Sequence, residues 1–195
     1  MNKDLLKKGI EDSIRTKERI LLDDSLLQKL LEAIILCTTS LQKEGCVFFC
    51  GNGGSAADAQ HLAAELTGRY YYDRPPLNAE ALHVDTSYLT AVANDYSYDE
   101  IYARMIRGKA HRGDVLVGIS TSGNSNNVCR ALSTAKEMGL STISLTGDGG
   151  GKMQKLGDIW IGVPSTDTPR IQESHILMGH LLCQGIEEIL FPREK

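Results

Sequence analysis

The chain has no Cys-x-x-Cys pair, no apolar run near the ~20 residues of a membrane span and no block of like charge. Its five cysteines, at 37, 46, 50, 129 and 183, are odd in number and widely spread. That argues against a disulfide framework and suits a reducing compartment. The first residues, Met1-Asn2-Lys3-Asp4-Leu5-Leu6-Lys7-Lys8, are too charged for the apolar stretch of a signal peptide. The formal net charge of -4 favours neither nucleic acid nor an anionic membrane as a bulk partner. Any anionic substrate must be bound by local loops. A soluble, cytosolic protein is expected.

Hydrophobic residues make up 42% of the 195 positions, ordinary for a folded domain and against disorder. Leu5, Leu6, Ile10 and Ile14, and then Leu26, Leu27, Leu30, Leu31, Ile34 and Ile35, repeat at helical spacing. Asp23, Asp24 and Ser25 offer a cap between two such helices, the second ending near Gly45. The second helix is apolar over much of its circumference, so more than one surface must bury it. Residues 1–44 therefore read as a helical pair used in oligomerisation, within a single domain spanning 1–195.

From Cys46 onward, short apolar runs alternate with helical stretches. Strands are expected at 46–50, 79–84, 114–119, 141–145 and 158–163, and a last helix from Thr168 to Leu190. Such alternation predicts βαβ units, a parallel sheet and helices on both faces. Ligands in these sheets bind at the carboxyl ends of strands. Glycine-rich and hydroxyl-rich loops fall at those ends here.

Gly51-Asn52-Gly53-Gly54-Ser55 lacks the Gly-Lys-Ser/Thr ending of a P-loop and the spacing of a dinucleotide fingerprint. It reads either as a plain strand-to-helix turn or as a place where backbone approaches ligand. Ser120-Thr121-Ser122-Gly123-Asn124-Ser125 is more telling. It puts four hydroxyls in six residues before a helix, whereas capping needs one. Hydroxyls and free amides at a helix N-terminus can hold a phosphate without Lys or Arg.

His61 and Glu65 are four apart, so they share a helix face. Gln172 and His180 lie on the last helix, eight apart, or about 12 Å along its axis. His, Glu, Gln and His form an acceptable ligand set for a divalent metal such as zinc. One ion held by both Gln172 and His180 requires long side-chain reach, a helix that starts after Gln172, or two subunits.

Taken with Glu65-Leu66-Thr67-Gly68-Arg69-Tyr70, Asn94-Asp95, Leu145-Thr146-Gly147 and Arg170-Ile171-Gln172-Glu173, these loops closely resemble phosphoheptose isomerases, of the sugar isomerase (SIS) domain superfamily. The resemblance spans nearly the whole chain. It implies an α/β fold: a five-stranded parallel sheet flanked by helices, a flavodoxin-like three-layer sandwich with two leading helices. It implies a homotetramer with active sites between subunits. Asn52, Gly53, Gly54, Ser55, Asn94, Asp95, Ser120, Thr121, Ser122, Ser125, Glu65 and Gln172 would contact the sugar phosphate. His61, Glu65, Gln172 and His180 would bind zinc, and Glu65 and His180 would carry the proton transfers. The implied reaction converts sedoheptulose 7-phosphate to D-glycero-D-manno-heptose 7-phosphate, which feeds nucleotide-activated heptose for cell-surface polysaccharide. Asp148-Gly149-Gly150-Gly151 and Asp167-Thr168-Pro169 depart from the family pattern and bear on substrate detail. The non-catalytic replication initiator-associating protein also resembles this chain in fold and motifs. It lacks the catalytic pair that Glu65 and His180 supply here.

Overall fold

The computed structural model describes residues 2–193. Two helices lead, α1 (Lys3–Leu21) and α2 (Asp24–Gln42). Asp23 caps α2 by accepting from the Leu26 amide. Then come β1 (Val47–Gly51), α3 (Gly54–Thr67), β2 (Ala79–Ala81), α4 (Thr86–Asp95), α5 (Ile101–Lys109), β3 (Val115–Ser120), α6 (Asn126–Met138), β4 (Ser141–Thr146), β5 (Ile159–Gly162) and α7 (Thr168–Leu190). Short 3₁₀ turns precede α5 and β5.

All strand pairs are parallel, in the order β2-β1-β3-β4-β5. β1 and β3 are buried along their whole length, which is why their sequences run apolar rather than alternating. Alternate side chains serve opposite faces. Val47 and Phe49 pack with α2, α3 and α7, while Phe48 and Cys50 pack with α4, α5 and α6. The three-layer α/β architecture is as expected. All five cysteines are free and buried.

The β2 strand is shorter than expected. The chain turns away after Ala81, with the Val84 amide bonded back to the Ala81 carbonyl. Asp85 then caps α4. The segment from Tyr98 starts as a 3₁₀ turn and becomes α-helical at Ile101.

α2 buries Leu26, Leu30, Ala33, Ile34 and Cys37 but leaves Leu31 and Ile35 about half exposed. α1 is the more uncovered of the two: Leu5, Leu6, Ile10 and Ile14 are all at least 50% exposed. Among the described residues, no helix is long and apolar enough to cross a membrane.

Candidate active site

In a parallel sheet ordered 2-1-3-4-5, the strand order reverses between β1 and β3, and the crevice at their carboxyl ends is the usual ligand position. Both candidate loops lie there. Asn52, just after β1, and Asn127, in the first turn of α6, bridge the crevice with reciprocal side-chain hydrogen bonds of 2.9 and 2.8 Å. Tyr98 adds a third bond, donating to Asn52 Oδ1 at 3.1 Å. The Asn52 carboxamide is therefore largely committed within the protein. Its oxygen accepts twice, leaving one N–H and the glycine backbone to face a ligand. Sequence reasoning did not single out Asn127 or Tyr98. Their only signal is local, since Asn127 directly follows the hydroxyl loop.

The hydroxyl loop is not a cap. Ser125 occupies the N-cap of α6 but makes no side-chain capping bond. Its hydroxyl pairs with Ser120 Oγ at 2.9 Å, and Ser122 Oγ lies 3.5 Å from Ser120 Oγ. Among the described residues, the amides of Ser125, Asn126 and Asn127 donate to no protein acceptor. Three converging hydroxyls and an open helix N-terminus are a site for an anion. Gly123 is required here: its φ is +65°, and a Cβ would meet the Gly150 carbonyl oxygen. The loop after β4 closes over this turn, with the Met153 amide on the Gly123 carbonyl at 3.0 Å. Beside it is a cavity of about 240 Å³ lined by Thr121, Ser122, Asp148, Ser165, Thr166 and Thr168. A larger cavity, about 480 Å³, opens at the opposite end of the sheet and contains none of the candidate residues.

The other half of the site is made by two parallel helices. α3 and α7 run side by side in the same direction. Gly54 meets Gln172, Leu62 meets Gly179, and His61 meets His180. A Cβ on Gly179 would sit 2.5 Å from Leu62 Cδ1, so only glycine allows so close an approach at this level. This packing brings His61 Nε2 to 3.0 Å from His180 Nε2 and 3.2 Å from Glu65 Oε1. The three side chains offer ligand atoms within 4.8 Å of one another. Two ring nitrogens and a carboxylate oxygen facing one point fit a tetrahedral zinc, whose ligands at ~2.1 Å from the ion stand roughly 3.4 Å apart.

The structure thus unites three of the four expected ligands. Gln172 lies two turns earlier on α7, with its carboxamide against Gly54. Because α7 begins at Thr168, the option of a helix starting after Gln172 is ruled out. Ser55 is buried in the first turn of α3. Asn94 and Asp95 stand exposed at the end of α4, bonded to each other at 2.9 Å and to none of the other candidates.

Two neighbours escaped the sequence reading. Asp58, one turn before His61, has Oδ2 buried without a partner among the described residues, and burial raises its pKa. The Tyr70 ring packs 5.9 Å from the His180 ring, and burial followed by its bond with Tyr71 pushes its phenol up to about 12.

Comparison with known proteins identifies the family. Residues 12–147 match the family model described as SIS domain. The phosphoheptose isomerase of Sulfurimonas denitrificans is 47% identical over 189 residues, 97% of each chain. That of Mycobacterium tuberculosis is 51% identical over 184 residues, 94% of each chain. The solved structure of the Neisseria gonorrhoeae phosphoheptose isomerase superposes with a TM-score of 0.90 at 42% identity, over 95% of this chain and 98% of that one.

Proposed function

The chain belongs to the SIS-domain family and, within it, to the phosphoheptose isomerases, and on that premise we propose that it interconverts sedoheptulose 7-phosphate and D-glycero-D-manno-heptose 7-phosphate. The single observation that carries the reading is the meeting of His61, Glu65 and His180 across α3 and α7. A binding protein of the replication initiator-associating type has no use for that constellation.

The phosphate end is held by Ser120, Ser122 and Ser125 hydroxyls with the α6 amides. The field of the helix N-terminus adds roughly half a positive charge. Thr121, the Asn52–Ser55 backbone, Asn94 and Asp95 complete the substrate contacts. At the sugar end the reaction moves a proton from C1 to C2 and another between the two oxygens. Glu65 takes the C1 proton, giving an enediol, and returns it at C2. His180 moves the proton between oxygens, because an imidazole can both give and accept one.

His61, Glu65 and His180 would hold zinc, with Gln172 as the fourth expected ligand. Bound there, zinc would supply Lewis acidity toward charge developing on the sugar oxygens. The uncovered apolar faces of α1 and α2 support a homotetramer assembled through residues 1–44. The five free, buried thiols fit a cytosolic setting.

The test is direct. Purified protein incubated with sedoheptulose 7-phosphate yields an aldose 7-phosphate. No product, with or without added zinc, refutes the assignment.

A further inference from the structure

Arg74 and Glu187 form a buried ion pair, Nε to Oε1 at 3.1 Å, with both side chains 1% exposed. A buried ion pair is tolerated only when its remaining donors and acceptors are satisfied. Here they are, and the partners all come from one place. Arg74 donates through its two terminal nitrogens to the carbonyls of Glu65 at 2.8 Å, Leu66 at 2.7 Å, Gly68 at 3.1 Å and Pro75 at 3.0 Å. The first three are among the carbonyls that the end of α3 leaves without a partner inside the helix, and that of Leu66 also accepts the Leu77 amide at 3.1 Å. Glu187 accepts the amides of Tyr70 at 3.0 Å and Tyr71 at 2.8 Å. Tyr72 donates its hydroxyl to the carbonyls of Glu187 and Phe191.

The placement gives this cluster its meaning. Arg74 grips the turn of α3 that carries Glu65, and Glu187 lies two turns beyond His180 on α7. The pair therefore bolts the helix bearing one reacting group to the helix bearing the other. It also fixes the backbone of Tyr70, whose ring rests beside His180. A surface pair, or a pair buried elsewhere, would not set the α3–α7 register at the level of the site.

We propose that Arg74 and Glu187 are positioning residues, which hold Glu65 and His180 in reacting geometry without touching substrate. The proposal rests on the isomerase reading above. A purely structural pair makes a different prediction, because a buried ion pair can often be replaced by apolar side chains without loss of stability.

The experiment compares wild type with the double variant Arg74→Met/Glu187→Leu and the single variant Arg74→Lys. It measures melting temperature, kcat and KM for sedoheptulose 7-phosphate, and zinc affinity of the apo-protein against a chromophoric chelator. The double variant is expected to fold and to lose about 10²-fold in kcat, the scale of a 1 Å misplacement. KM should stay within about threefold, since the phosphate loop lies on other elements. Zinc affinity should fall by roughly 10–100-fold, as when an outer partner of a ligand is removed. Arg74→Lys keeps a charge beside Glu187 but loses the forked grip on the carbonyls, so it should fall between the two. A folded double variant with wild-type kcat and zinc affinity overturns the proposal. If the double variant does not fold, a folded Arg74→Lys with unchanged kcat and zinc affinity overturns it equally. An inactive wild type would instead overturn the isomerase reading, so the two failures are distinguishable.

Discussion

Ser120→Ala separates binding from stability. Ser120 is 4% exposed, and its hydroxyl meets Ser125 at 2.9 Å and Ser122 at 3.5 Å. In the free protein the substitution removes one good neutral hydrogen bond, worth about 1 kcal/mol net. Ser125 is only half-buried and can turn its hydroxyl to water, so the cost to folding should not exceed that figure. With a phosphate bound, the same hydroxyl donates to a charged oxygen, a bond worth roughly 1.5–3 kcal/mol. At about 1.4 kcal/mol per factor of ten, affinity should fall roughly 10- to 100-fold. Calorimetric titration with sedoheptulose 7-phosphate and with inorganic phosphate measures this directly. Both should weaken by a similar factor, with kcat nearly unchanged, because the loss is at the end of the ligand remote from the chemistry. Unchanged affinity for both ligands in a folded variant would remove the loop from the site.

Glu65→Gln should keep the fold and lower turnover by at least ~10²-fold, and His180→Gln should do similar damage. Solvent-deuterium exchange into C1 of the ketose then identifies the base as the residue whose loss stops exchange, and near-normal turnover in both variants would refute the mechanism. His175 is 1% exposed, and burial, only partly offset by the Thr146 backbone, lowers its pKa from 6.5 to about 4. The folded protein holds it neutral while the unfolded chain takes up a proton, so its contribution is complete above pH 6.5 and declines as pH falls, by about 3 kcal/mol at pH 4. Chemical denaturation of His175→Leu from pH 7 to pH 4 should show a flatter decline than wild type, and identical slopes would refute the assignment. Light scattering at micromolar protein should give about four times the 21.3 kDa of one chain, and a stable single-chain species would refute the tetramer.

Much of this could be read along the chain. Apolar runs such as Val47–Cys50 and Val115–Ile119 mark strands buried on both faces, because such strands have no polar side to show. The pairing of His61 with Glu65 is helical arithmetic. The density of hydroxyls from Ser120 to Ser125 pointed to an anion. What remained open was whether they capped the helix, and the structure answered by leaving Ser125 without a capping bond.

Other features depend on contacts between distant segments, which no local pattern encodes. Strand order puts the two loops at one crevice, and the Asn52–Asn127 bridge joins residues 75 apart in sequence. The meeting of His61 with His180 follows from the parallel packing of α3 on α7, which Gly179 permits by yielding to Leu62. Arg74 and Glu187 read as ordinary charges in the sequence, since nothing nearby marks them as buried. Local spacing determined which side chains share a face, while long-range packing decided which faces meet.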